Sequence, residues 1–152
     1  MEISQLLGEK GQKLVNDIQR NLAAAGKNAT GDTARSLKFS IEQNGSVTRF
    51  VLTGRPFFNV VQTGRRPTPE KKPSREMIDR ITAWVKAKNI DLSAVWGIAT
   101  KIQQEGTKLW QEGGRTDIIN PAVDEFINSA ARDILANEAE EFKIKIQDMK
   151  WQ

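Results

Sequence analysis

The side chains best suited to chemistry in this chain are cations. Arg55, Arg65, Arg66, Lys71, Lys72 and Arg75 fall within one stretch of twenty-one residues that holds a single carboxylate, Glu70. Close cations of this kind attract nucleic-acid phosphate or an acidic protein surface, with a strength that falls as salt rises. They do not read bases. Between Gly64 and Ser74 there is no aromatic ring to stack on and no helical register for groove entry, so a DNA contact would reach only the backbone. The plain alternative is a solubilising loop, because Lys and Arg are mostly solvated.

Other chemistry is excluded by what is missing. The chain has no cysteine, histidine or tyrosine. That removes thiolate nucleophiles, zinc knuckles, disulfides, imidazole ligands and any general base that titrates near neutrality. An enzyme would be left with carboxylates, lysines and hydroxyls, which means magnesium-dependent or two-carboxylate chemistry. Glu138, Glu140 and Glu141 are spread around a helix and read as a solvated face. Gly106-Thr107-Lys108 ends like a phosphate loop but lacks the preceding glycines and follows a helix instead of a strand. Asn28-Ala29-Thr30 matches a glycosylation acceptor only by chance. The chain is expected to be no enzyme, with no catalytic residue, no cofactor and no metal.

The elements that must position the cations follow from periodicity. Ile3, Leu7, Leu14, Ile18 and Leu22 share one stripe, with Leu6 and Val15 beside it, and predict an amphipathic helix over 2–26 stopped by Gly26. Leu37, Phe39 and Ile41 alternate with polar residues, Asn44-Gly45 marks a tight turn, and Val47 to Leu52 returns, so a hairpin is expected over 36–53. Phe57, Phe58, Val60 and Val61 form an apolar patch too short to assign. The basic loop, 63–75, carries Pro67, Pro69 and Pro73 and should be exposed and extended. Ser74 caps a helix bearing Met77, Ile78, Ile81, Trp84 and Val85 that Asn89 ends; Asp91 or Ser93 opens a second, with Val95, Ile98, Ala99 and Ile102 on one face and Gly106 beyond it. Gly113-Gly114 hinges a loop in which 116–119 is a candidate short strand. Asn120-Pro121 starts a long helix over 121–150, with Val123, Ile127, Ala130, Ile134, Leu135, Phe142, Ile146 and Met149 as its seam; its far half needs a partner.

The expected fold is therefore α+β, one domain over 1–152. A small antiparallel sheet is packed by an N-terminal helix, a helical hairpin and the long C-terminal helix around one core. At 152 residues, with 38% apolar and 28% charged side chains, such a chain buries about 70% of its unfolded surface and needs no staples. The net charge of +4 is uneven: residues 1–54 carry +2, 55–75 carry +5 and 76–152 carry −3. Met1 to Lys10 does not read as a secretory leader, and the longest apolar run, Leu22–Ala25, is far too short for a membrane span, so assembly in a cytosol with no membrane is expected. A sheet this small leaves open edges that invite pairing with another copy. Among the tryptophans, Trp84 and Trp96 sit beside apolar helical faces and are expected in the core. Trp110 and Trp151, with Phe57 and Phe58, are candidate interface anchors.

Four segments taken in order resemble the neck, or tail-completion, proteins of tailed bacteriophages. They are Thr30-Gly-Asp-Thr-Ala-Arg-Ser-Leu-Lys-Phe-Ser-Ile41, Phe57-Phe-Asn-Val-Val-Gln-Thr-Gly-Arg-Arg-Pro67, Ile81-Thr-Ala-Trp-Val-Lys-Ala-Lys-Asn-Ile90 and Ala99-Thr-Lys-Ile-Gln-Gln-Glu-Gly-Thr107. The likeness covers about residues 1–110. Phe57 stands where that family has Tyr, Gln62-Thr63 where an acidic residue precedes Gly-Arg, and Asn89 where Gly is common. The resemblance implies a non-enzymatic virion protein at the head–tail junction, built as a homo-oligomeric ring of sixfold or twelvefold symmetry. Its partners would be itself, adjacent connector, portal-side or tail proteins and, through the basic collar, the backbone of packaged DNA. The competing readings are a sequence-independent nucleic-acid-binding protein and, third, a magnesium-dependent nuclease.

Overall fold

The computed structural model describes residues 2–27, 29–56 and 58–149, with side chains described as far as 140. The fold is α+β: helices around a two-stranded antiparallel sheet. Helix α1, Ile3–Ala24, buries Leu6, Leu7, Leu14, Val15, Ile18 and Leu22 of the predicted stripe and also Gly11, while Ile3 at its start is only half-buried. Gly26 at φ +67° closes it, with its own N–H on the Ala23 carbonyl and the Lys27 N–H on that of Leu22.

The segment before the hairpin, to which the periodicity assigns no element, forms a short helix, α2, Asp32–Ser36. Arg35 holds it, reaching Asp32 at 2.5 Å and the Thr30 carbonyl at 2.9 Å. The hairpin accordingly starts later than expected, as β1, Lys38–Asn44, and β2, Val47–Thr53. Asn44 pairs with Val47 across a turn in which Gly45 takes φ +61°, and Phe39 and Ile41 face Leu52 and Phe50. The Phe39 and Phe50 rings stack at 5.4 Å and lie against α1 at Gly11, where an added Cβ would come within 2.6 Å of Phe50. A glycine inside a helix costs about 1 kcal/mol relative to alanine, and here the close seat of two aromatic rings offsets it.

The candidate strand at 116–119 does not form. The N–H groups of Ile118 and Ile119 both go to the Gln62 side chain, and Asn21 Nδ2 donates to the Ile118 carbonyl at 2.9 Å. With those groups taken by side chains, no ladder can be built on them. The segment runs directly into α7, Asn120–Met149, whose 30 residues span about 45 Å at ~1.5 Å each.

The first half of α7 packs on α1 through buried Ala122 and Ala130 and partly buried Val123 and Phe126, with Phe126 4.4 Å from Phe50 and Lys10 paired to Asp133 at 2.6 Å. Part of the expected seam is displaced: Ile127 is 55% and Leu135 70% exposed, because Phe126, one residue earlier, takes the inward position. Side chains of Phe142, Ile146 and Met149, and residue Lys150, lie outside the described residues.

Buried side chains gather in two clusters where one core was expected. The larger joins α1, α2, Leu37, Ile118 and Ala122. The smaller is the expected helical hairpin, α4, Arg75–Ala87, and α5, Val95–Glu105, with a 3-10 turn at Leu92–Ala94 between them. Its buried residues are Met77, Ile81, Val85, Val95 and Ala99. Ser74 caps α4 as expected, accepting the Met77 N–H at 3.1 Å, and Asp91 accepts from Ser93 at 2.8 Å. Trp84 and Trp96 are not core residues: they are 40% and 63% exposed. The inward stripe of α4 is a single row at steps of four, and Trp84 stands one residue, about 100°, away from it.

Candidate functional site

The basic loop is anchored by two short helices, α3, Val60–Thr63, and α6, Lys108–Gln111. Between them, Gly64 and Gly106 at φ +73° and +77° bring two stretches of backbone together. A Cβ on Gly64 would meet Thr107 Oγ1 at 2.7 Å and the Trp110 backbone nitrogen still closer; one on Gly106 would meet the Arg65 carbonyl at 2.8 Å. Only glycine fits both the space and the left-handed backbone. The contact is reciprocal: Arg65 N–H donates to Thr107 Oγ1 at 2.9 Å, and Thr107 N–H donates to the Arg65 carbonyl at 3.0 Å.

A second tie lies further along the loop. Thr68 N–H donates to the Gln103 carbonyl at 2.8 Å, and the buried Gln103 amide returns to the Thr68 carbonyl at 3.1 Å and to its hydroxyl. The loop's first half, 64–68, is thus fastened to the last turn of α5 and to the α5–α6 connection, which narrows the expectation of a wholly exposed, extended loop. Thr107 also accepts the Trp110 N–H at 3.3 Å, so the hydroxyl of Gly106-Thr107-Lys108 is committed to the turn itself.

Gln62 is the residue that sequence reasoning passed over. Its buried Oε1 accepts N–H groups from Ile118 at 3.1 Å, Ile119 and Asn120, and its Nε2 donates to Asn120 Oδ1 at 3.1 Å. Its carbonyl takes the Arg115 N–H at 2.8 Å. The N–H groups of the two residues leading into α7 and of its first residue, Asn120, are therefore satisfied by a side chain from α3, 58 positions earlier than Asn120. Within its own segment only its place among apolar neighbours, Val60 and Val61, hints at burial.

The predicted cations divide into two groups. Arg66, Lys71, Lys72 and Arg75 are exposed and Arg65 is half-buried; among the described residues none of the five has an ion-pair partner. Arg55 is elsewhere, half-buried, lining a cleft that none of the other five lines. Of the candidate anchors, Phe58 is half-buried against the larger cluster, where Gly54 leaves it room, and so offers little to a partner. Trp110 is 44% exposed. Phe57 and Trp151 lie outside the described residues.

Carboxylates near these elements are held ionised by local donors. Arg115 grips Asp117 with two bonds of 2.6 Å and pushes its carboxyl down to about 2. Asp17 is lowered by Lys13 first and Arg20 next, and Asp91 by the Ser93 amide. Among the described residues, no group of three or more acidic side chains is placed to hold a metal ion, and no helix is long and apolar enough to cross a membrane. Comparison with protein-family models, with curated proteins and with solved structures finds no match.

Proposed function

We propose that the chain is a structural subunit that assembles with copies of itself. The observation that carries this reading is the sheet: two strands of seven residues each, paired only to one another, with the outer edge of each unpaired among the described residues. Open edges and a sheet of two strands are the features that assembly relieves. Exposed Ile127, Leu135 and Trp96 add apolar surface of the kind that interfaces cover.

More particularly, the subunit is read as a ring-forming protein of the neck of a tailed bacteriophage, docking to the connector or tail proteins on either side. The segments that carry this likeness also meet in space: Gly64-Arg65 of one lies against Gly106-Thr107 of another through the reciprocal bonds described above. In a ring, the cations of 65–75 repeat as a collar facing either DNA or an acidic neighbour. Analytical ultracentrifugation and electron microscopy of the purified protein and of virions test the reading. Closed rings, or the chain located at a particle neck, support it; a strict monomer absent from particles overturns it.

A second reading, sequence-independent nucleic-acid binding, is favoured by the five loop cations that have no ion-pair partner among the described residues. Duplex affinity should then fall steeply between about 50 and 200 mM salt, and alanine at Arg65, Arg66, Lys71, Lys72 and Arg75 should flatten that slope. Absence of binding at the lower salt ends it.

A further inference from the structure

Arg55 belongs to a different constellation from the basic loop. It lines an open cleft of about 380 Å³ together with Lys27, Arg80, Lys88, Trp84 and Thr33, and among the described residues no carboxylate lines that cleft. The walls come from both halves of the molecule: the turn after α1, the turn after β2, and α4. Lys27, Arg55 and Lys88 have no carboxylate partner there, while Arg80 shares its charge with Glu76, and an anion between them would relieve the repulsion that is left.

Each cation is placed by a distinct local device. Lys27 follows Gly26, and its N–H closes α1 on the Leu22 carbonyl at 2.9 Å. At the end of α4 the same closure recurs: Asn89 at φ +56° takes the left-handed position, and the Ile90 N–H reaches the Val85 carbonyl at 2.9 Å, leaving Lys88 at the cap. In each terminal turn three carbonyls, those of Asn21, Leu22 and Ala23 and those of Trp84, Val85 and Lys86, are taken by backbone donors, which reduces the negative end that would otherwise oppose an anion. Arg55 N–H donates to Ser36 Oγ at 2.9 Å and its guanidinium reaches Thr33 Oγ1 at 3.5 Å. Arg80 is steadied by exposed Glu76 at 2.6 Å, while Lys27, Arg55 and Lys88 have no ion-pair partner among the described residues.

On α4 the spacing is telling. Arg80, Trp84 and Lys88 recur at steps of four and form one stripe, with the indole between two cations. Guanidinium forks match phosphate oxygens in pairs, ammonium groups add point charge, and a part-exposed indole offers a flat face to a base. The cleft's volume lies within the range of small-molecule sites.

We infer that this cleft is a binding site for a phosphate-bearing ligand of nucleotide size, with Arg55, Arg80, Lys27 and Lys88 on the phosphates and Trp84 against the base. The ligand can be a free nucleotide or a nucleotide of a single strand. This site is independent of the ring proposal and of the loop cations.

The test is calorimetric titration of the whole chain at about 150 mM salt, close to physiological screening, with pyrophosphate, adenosine diphosphate, a thymidine pentanucleotide and an Asp/Glu hexapeptide as probes. Saturable one-to-one binding of pyrophosphate and of the diphosphate is expected, the latter tighter. Arg55→Gln with Arg80→Gln should weaken both by about tenfold or more, given the strength of charge-assisted bonds. Trp84→Leu should erase the advantage of the diphosphate while sparing pyrophosphate. Alanines at Arg65, Arg66, Lys71 and Lys72 should change neither. Should the double glutamine variant misfold by circular dichroism, Lys27→Gln with Lys88→Gln serves in its place. Comparable affinity for the pentanucleotide assigns the ligand to a strand, and its absence assigns a free nucleotide; either keeps the site. Failure of every phosphate probe to saturate, preference for the acidic hexapeptide, or indifference to the cleft variants overturns the inference.

Discussion

Removing the Gln62 side chain should loosen the start of α7 more than any exposed substitution. Gln62→Ala deletes the acceptor shared by the N–H groups of Ile118, Ile119 and Asn120 and the donor to Asn120 Oδ1. Ile118 is fully buried, so its N–H cannot turn to water and costs ~1–3 kcal/mol unsatisfied. Asn120 and Ile119 are less buried, and their loss resembles removal of a helix cap, about 1 kcal/mol. Together about 2–4 kcal/mol is expected, a fall in melting temperature of roughly 5–15 °C for a chain of this size. Gln62→Glu keeps the acceptor and places negative charge at a helix N-terminus, but it loses the donor to Asn120 Oδ1, whose amide must turn to meet it, so it should be more stable than Gln62→Ala while falling short of the parent. Thermal and urea unfolding of the two variants, followed by circular dichroism, provide the measurement. A Gln62→Ala protein within about 0.5 kcal/mol of the parent, the range of an ordinary surface change, would refute the role assigned to this side chain, as would a Gln62→Glu protein no better than the alanine variant.

Three further outcomes are expected. Gly64→Ala should destabilise the chain by more than ~2 kcal/mol in urea unfolding, since it adds a left-handed backbone penalty to a clash with the Trp110 backbone and Thr107. Asp117, held down to about 2 from 3.8, stabilises the folded chain above its unfolded value and loses that contribution as pH falls from about 4 towards 2. A carboxyl NMR titration should therefore find its midpoint near 2, rising towards 3.8 in Arg115→Gln; an ordinary midpoint in the parent contradicts the pairing. Leu135→Lys, at a side chain 70% exposed, should leave monomer unfolding within about 0.5 kcal/mol of the parent yet weaken self-association in sedimentation, since the proposed assembly uses exposed apolar side chains of this kind as its contacts.

What the sequence reveals about this fold is what local rules encode. The α1 stripe and its Gly26 stop, the Asn44-Gly45 hairpin, the Ser74 cap and the paired helices α4 and α5 all follow from spacing and capping chemistry within a few residues. The features missed depend on distant partners. Gln62 acts on residues 56 to 58 positions away, and by taking the amides of Ile118 and Ile119 it prevents the strand that 116–119 could have offered. Trp84 and Trp96 have helical spacing compatible with burial, but two short helices facing mainly each other bury one row apiece. Phe126 displaced Ile127 from the core because the Phe50 ring stood ready on the hairpin. The cationic cleft was half legible: Arg80, Trp84 and Lys88 are periodic, whereas Lys27 and Arg55 join them only through the fold.

The central proposal is that unpaired strand edges and exposed apolar side chains are completed by other copies of the chain. Sedimentation velocity over a hundredfold range of protein concentration, with negative-stain images of any large species, tests it most directly. A concentration-dependent shift to one closed, ring-shaped species is expected, and it should be lost when exposed Gln43 of β1, whose N–H points away from β2 in the hairpin register, is replaced by proline. A single species of about 17.0 kDa at every concentration, with the chain missing from purified virions, would contradict it.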